Sequence, residues 1–524
     1  MRSATLRSFI AVHTWVGLTA GFALFIAFYA GALSIFNDEL HVWATREARA
    51  APMTPVSQAQ PLMDTLLRAH PEAAERFTLR FPTPHEPALT AEWDEQHADG
   101  TETEHVFVLS PQGELVDVRA PSVLADLVYH LHYTAGLPKS WGIYVLGVIC
   151  LLYGMALVSG VVIYSPTFFK DLFALRIGKN IKRMWQDAHN AIGILSLPFH
   201  VMYAWSSAVL ALGAVLLAPF QYMVFDGKLQ PLIQADISAG APRPPAGVAA
   251  PTPLAPLSSL YATVEREVPG IRLGALRYRN AGDVNGQVDA YGEVDQHSVS
   301  GVAAVVMHAG SGAVERVVTP GNYTPGTGLL RGLYALHFAS FGQLAVKWMY
   351  FVLGMAGAFL FYSGNLLWIE ARRKRQGGQR LGARLMAKAT LGVCLGCVAG
   401  IGAAFLANKL APWDALATWE TRGYYGVFFL CVLWAFVRPP ARAAHELLML
   451  CAATCLLLPF AQWWRAGVDP LSAISQGAWV VAGVEGVALL AAVLYWRMGR
   501  AVLRRGLHGD PQSVWSLQGR GVSD

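Results

Sequence analysis

Histidines at the mouths of long apolar runs are the residues of this sequence best suited to chemistry. "YHLHYTAGLP" (129–138) carries His130 and His132 just before one such run, and "YALHFASFG" (334–342) carries His337 just before another. Two more open apolar runs themselves: His13 in "HTWVG" (13–17) and His189 in "HNAIG" (189–193). Ionisable side chains in membrane-length segments are rare and usually functional. Two neutral imidazoles on opposite faces of a porphyrin are a common axial arrangement for electron-transfer haem. Taken singly, each histidine reads as an interfacial or helix-capping residue. Taken together, His13 matches His189 and His132 matches His337 across a duplication. A ligand between the halves meets one histidine from each, so two pairs at two depths are expected to hold two haems.

His200 is a fifth candidate, eleven residues beyond His189 and so roughly 16 Å deeper on a continuous helix. It reads as a ligand replacing one of the four, as a polar group facing a propionate, or as a helix–helix hydrogen-bonder beside Pro198. Its counterpart in the first half is Leu24. His130 is two residues from His132, hence on another helix face, and reads as a surface or substrate-side group. The remaining histidines lack metal-ligand spacing. "CLGC" (394–397) lies in an apolar helix and reads as small-residue packing rather than a redox pair. No dinucleotide fingerprint follows a strand and no P-loop is present, so flavin, nicotinamide and ATP sites are not expected.

The elements that must position these histidines are membrane spans. Of the 524 residues 54% are hydrophobic and 14% charged, against roughly 25% charged in an average soluble domain. Eight runs are long enough to cross a bilayer, near 9–36, 141–165, 188–218, 343–369, 387–407, 421–437, 444–461 and 476–497. The first is too long for a signal-peptide core, so it is expected to remain as a span. Basic clusters at Arg2/Arg7, 170–183, 371–384, 438–442 and 497–505 all fall on one side of an eight-span chain. The positive-inside rule makes that side cytoplasmic, with both termini on it. The net charge of +5 is accounted for by these clusters and calls for no nucleic-acid partner. All six cysteines lie in apolar segments, so no disulfide framework is implied.

Two polar stretches face the other side, 37–125 and about 226–330, and each reads as a helix, a strand and a hairpin. The chain therefore divides into a first repeat (1–165), a cytoplasmic linker (166–187), a second repeat (188–370) and an appended bundle of about four helices with a tail (371–524). A Pro/Ala segment (239–256) links the third span to the second polar unit. The expected fold class is an α-helical integral membrane protein carrying two small α+β domains from an internal duplication.

The "H-x-x-x-G" entries to spans one and three, the "LH[YF]" before spans two and four, and the paired α+β units resemble the PepSY-associated transmembrane family over about residues 5–372. The resemblance implies PepSY-like periplasmic domains, a place in the bacterial inner membrane and, from characterised members, a di-haem reductase of ferric siderophores. It implies haem ligands at His13, His132, His189 and His337, with His200 also available. With no C-x-x-C-H attachment motif, the haem is expected to be non-covalent b-type, two per chain. Reduction exchanges a hard ion for a softer one, which hard oxygen donors hold less tightly. A ferric chelate is expected near His130, Tyr133, Tyr323 and Arg331, with electrons from a cytoplasmic reductase or a quinol. Two other classes remain open: a quinol-linked cytochrome with another periplasmic acceptor, and a non-enzymatic sensor or protease-regulating module.

Overall fold

Long apolar helices and a single large sheet account for the fold. The computed structural model describes residues 3–44, 54–82, 88–97, 102–118, 122–168, 181–229, 239, 252–295, 299–373, 381–467, 469–511 and 513–518. Most of the Pro/Ala linker and the basic segments 169–180 and 374–380 lie outside these residues. The chain forms two units. A helical unit comprises Met1–Arg46, Pro121–Gly213 and Trp348–Asp524, and a sheet-bearing unit comprises Glu47–Ala120 and Ala214–Lys347.

In chain order the helices are α1 (Ser3–Ser34), α2 (Asn37–Ala44), α3 (Ala59–Ala69), α4 (Leu124–Thr134), α5 (Lys139–Tyr164), α6 (Ile181–Leu195), α7 (Leu197–Met223), α8 (Leu257–Glu267), α9 (Pro325–Phe338), α10 (Gln343–Arg373), α11 (Leu381–Leu410), α12 (Leu416–Val437), α13 (Pro440–Ala466), α14 (Pro470–Ser475) and α15 (Trp479–His508). Among the described residues seven helices are long and apolar enough to cross a membrane: α1, α5, α7, α10, α11, α13 and α15. The protein is thus a multi-pass helical membrane protein. The expected sixth span, 421–437, is α12. It has 22 residues and carries Glu420 and Arg422 near its start, yet Glu420, Tyr424, Cys431 and Ala435 on it are buried.

The third expected span divides at Ser196. α6 ends at Leu195 and α7 begins at Leu197, with Pro198 in its first turn, where proline's missing N–H is tolerated. His189 and His200 therefore sit on separate helices. α11 contains a π-helical turn at Leu391–Leu395, and the Cys451 thiol lies 3.6 Å from the Leu395 carbonyl there. Cys394 and Cys397 are fully buried in the same helix. One apolar cluster ties α1 to α4 and to the C-terminal helices, through Phe25, Ile26, Ala30, Leu124, Val128, Leu131, Val398 and Leu447.

In the sheet-bearing unit the two expected small α+β domains share one sheet. Its strands are β1 (Arg76–Arg80), β2 (Thr90–Gln96), β3 (Glu102–Leu109), β4 (Leu115–Asp117), β5 (Arg272–Arg279), β6 (Gln287–Glu293), β7 (Val302–His308) and β8 (Val314–Val318). They make one antiparallel sheet in the order β4-β3-β2-β1-β5-β6-β7-β8. The halves meet at the β1–β5 ladder, where Phe77 pairs with Tyr278 and their rings stack 4.7 Å apart. Strand alternation puts Phe77, Leu79, Leu276 and Tyr278 on one face with the apolar stripes of α3 (Leu62, Met63, Leu66) and α8 (Leu260, Val264) in a shared core. Burying each such side chain stabilises by about 1.5–3 kcal/mol. Neither half covers the core alone, so the duplicated units behave as one body.

Candidate metal-ligating site

His13 sits on α1, and its Nδ1 donates to the Ala156 carbonyl on α5 at 2.9 Å, with the Ser159 hydroxyl 3.2 Å away. His189 sits on α6, and its Nδ1 donates to the Leu360 carbonyl on α10 at 3.1 Å, with the Ser363 hydroxyl at 3.2 Å. Glycines complete the match: a Cβ at Gly160 would lie 3.1 Å from His13 Cε1, and one at Gly364 would lie 3.3 Å from His189 Cε1. Each half thus supplies a carbonyl, a serine and a glycine at positions i, i+3 and i+4, one face of a helix. A carbonyl only accepts, so the proton is held on Nδ1 and the Nε2 lone pair is kept for a metal.

The two rings come together although α1 and α6 are far apart in sequence. Their centroids are 6.3 Å apart and their planes lie at 83°. Were both rings to bind one ion from opposite sides through Nε2 at roughly 2.0 Å, their centroids would stand roughly 6.4 Å apart. The pair matches that span. Among the described residues no group of three or more His, Cys, Asp or Glu side chains could hold a metal ion. Two imidazoles alone are too few for a bare transition-metal ion, which takes four or more donors. They suit an ion whose other ligands come from a macrocycle. One turn from His13, a Cβ on Gly17 would meet nothing within 4 Å, so the chain leaves open space beside the imidazole. These residues fit haem.

His132 is oriented in the same way. Its Nδ1 donates to the Ala27 carbonyl of α1 at 2.8 Å, and a Cβ on Gly31 would lie 2.4 Å from that nitrogen. Ala27 is 14 residues beyond His13 on α1, so the two levels are about 21 Å apart along the helix. His337 is buried on α9 in the sheet-bearing unit, edge-on to Phe338 at 5.0 Å. His200 is fully buried, with Nδ1 2.5 Å from the Tyr153 hydroxyl and Nε2 3.0 Å from the Ser196 hydroxyl. Both of its ring nitrogens are engaged, as a helix-packing histidine requires. Its ring lies 5.8 Å from Phe28, next in sequence to Ala27, and its partner Tyr153 is one turn from Ala156 on α5, so it lies between the levels of His132 and His13.

A model of the PepSY-associated transmembrane region matches residues 10–371. The chain belongs to the PepSY-associated transmembrane family. An uncharacterised protein of Pseudomonas aeruginosa is 29% identical to it over 328 residues, which cover 59% of this chain and 77% of that one. The family segment contains all five candidate histidines and ends at the close of α10. In this PepSY-associated protein α11 to α15 are an extension beyond the matched region.

The four residues considered for a substrate divide between the units. His130 and Tyr133 are neighbours on α4, edge-on at 5.4 Å. Burial, then the charge of Lys139, push the His130 imidazole below its usual range, and its Nε2 is buried without a partner. Tyr323 and Arg331 are in the sheet-bearing unit, the guanidinium 5.2 Å from the ring centroid. Sequence reasoning missed Ser159, Ser363 and the three glycines. The available signal was the repeated Ser-Gly dipeptide in "VSG" (158–160) and "YSG" (362–364).

Proposed function

We propose that this protein is a di-haem transmembrane electron-transfer protein that reduces a ferric chelate, of the siderophore type, in the periplasm. The observation that carries this reading is the His13–His189 pair, with its centroid separation and matched Nδ1 anchors. His13 and His189 would hold one haem, and His132 with His337 the other. Haem iron so ligated supplies one-electron Fe(III)/Fe(II) chemistry. The chain's part is to fix each imidazole by its Nδ1 hydrogen bond, to hold two levels apart on the rigid α1, and to surround them with apolar side chains that exclude water. Anchored nitrogens resist reorganisation when the charge on a bound metal changes. A cytoplasmic reductase or a quinol would supply the electrons on the His13 side. Arg331 and Tyr323 provide a cation and an aromatic face suited to an anionic chelate. Release of ferrous iron follows because hard oxygen donors hold the softer ion less tightly.

With α12 as an eighth crossing, the basic clusters all fall on one side and support an inner-membrane protein with both termini cytoplasmic. The test is a reduced-minus-oxidised visible spectrum of purified protein expressed with ample haem, with a haem count by acid–organic extraction. A b-type spectrum reoxidised by a ferric hydroxamate supports the reading, and a haem count near zero overturns it. Reoxidation by other acceptors but not by ferric chelates would transfer the assignment to a quinol-linked cytochrome.

A further inference from the structure

Beyond the family-matched segment, α11 and α12 carry buried polar groups that bond the approach to the helix of His132 and the end of α2. Glu420 on α12 is fully buried. Its carboxylate accepts from the Ser122 hydroxyl at 2.7 Å, the Val123 N–H at 2.7 Å and the Asn408 side-chain amide at 2.7 Å. Ser122 and Val123 form the N-terminal approach to α4; the N-cap residue Val123 has no capping side chain, and the Ser122 hydroxyl accepts from the Leu124 N–H at 3.2 Å. Glu420 supplies the acceptor for the Val123 N–H from another helix, and its negative charge stands at the positive end of the α4 dipole.

At the other end of α4 the chain turns through Ala135 and Gly136, both at positive φ, and the Tyr425 hydroxyl donates to the Gly136 carbonyl at 3.0 Å. Glu420 and Tyr425 are both on α12, so one helix holds both ends of α4. Asn408 on α11 extends the grip: its amide also reaches the Ser122 hydroxyl at 3.1 Å and the Ala44 carbonyl at 3.2 Å. The next residue, Lys409, donates to the Trp43 carbonyl at 2.6 Å with its ammonium 3.6 Å from the Trp43 ring centroid. Trp43 and Ala44 close α2, where the chain leaves the helical unit, and Ser122 marks its return.

A buried charge is costly unless it is paired and hydrogen-bonded. Packing alone would be served by apolar residues at these positions. The network spends its bonds on the chain's exit, its return, and both ends of the helix carrying His132. We propose that Glu420 is a positioning residue for His132, and that the C-terminal helices serve to fix this ligand's helix against α1. The inference rests on the haem reading above.

The test uses the full chain with Glu420→Ala, Glu420→Gln and Tyr425→Phe. Hydrogen–deuterium exchange reads the clamp without reference to any cofactor. Loss of a hydrogen bond to a charged acceptor should speed exchange at Val123 by roughly ten- to a hundredfold in Glu420→Ala. Glu420→Gln keeps one acceptor oxygen for Ser122 and should be intermediate. It also carries the test if Glu420→Ala does not fold. In haem-loaded protein, potentiometric titration and low-spin spectra should show a shifted or broadened component, namely the one that His132→Ala abolishes. The component that His13→Ala abolishes should be unmoved. Tyr425→Phe should shift the same component less. Haem present with the His132 component unmoved, or both components shifted alike, overturns the positioning role alone. A wild type without haem overturns the haem reading and this proposal with it.

Discussion

The imidazoles of His13 and His189 approach edge-on with centroids 6.3 Å apart, each held through Nδ1 by a carbonyl and a serine of a later transmembrane helix in its own half. The arrangement is symmetric in partner type, spacing and distance. Two matched sets converging on one gap are what the proposed shared haem requires.

His13→Ala and His189→Ala should therefore each abolish the same spectral component and take the haem content from about two per chain to about one. Ser159→Ala and Ser363→Ala leave the carbonyl bond in place and should weaken haem retention by at most about 10–100-fold. Extraction counts and reduced-minus-oxidised spectra read all four. Loss of different components in the two histidine variants would show that these rings do not share a ligand.

Glycine substitutions should be graded by clearance. A Cβ at Gly31 would lie 2.4 Å from His132 Nδ1, at Gly160 3.1 Å from His13 Cε1, and at Gly364 3.3 Å from His189 Cε1. Gly31→Ala must displace the ring or α4 and should disturb the His132 component strongly. Gly160→Ala should shift the His13–His189 component moderately and Gly364→Ala least. Low-spin spectra of the three variants give the order, and an undisturbed Gly31→Ala spectrum would remove His132 from the ligand set.

His200 and His337 compete for the same assignment, since both are buried histidines in the second half. The engaged nitrogens of His200 predict that His200→Ala retains both haems while loosening the α5–α7 contact through Tyr153. His337→Ala should abolish the component that His132→Ala abolishes. The reverse pattern would pair His132 with His200.

Much of this was legible in the sequence. Hydropathy gave the spans because a bilayer demands about twenty apolar residues, and the order of motifs gave the duplication. The break at Ser196 was less visible, because Pro198 in a first helical turn looks like an ordinary apolar span. The apolar run of α12 was legible too, but not the three donors that satisfy the Glu420 carboxylate near its start. The joining of β1 to β5 was not legible, since strand pairing between distant segments leaves no periodicity. The serine and glycine supports were missed because a carbonyl acceptor has no side-chain signature.

Asp289 offers a test away from the membrane. It is buried 2.8 Å from Arg279, and burial outweighs the ion pair and raises its carboxyl above the usual range. A raised folded pKa means that the folded state binds the proton more tightly, so this group's contribution to stability is present at acid pH and lost as pH rises through its folded pKa. Asp289→Asn should raise the melting temperature of the full chain at pH 7, and the gain should vanish near pH 3. A lower melting temperature at pH 7 would show that the ion pair prevails over burial.

The palindromic strand order carries a consequence for descent. One repeat alone would end at a bare β1 edge and would close by pairing with a copy of itself about a twofold axis, an isologous dimer. In such an ancestor any change on one side appears on both. Fusing two copies into one polypeptide keeps the ladder and releases the constraint, so a buried Leu24 can stand opposite a buried His200. The joined sheet holds the halves in partnership while each level of the membrane is free to become unlike its mate.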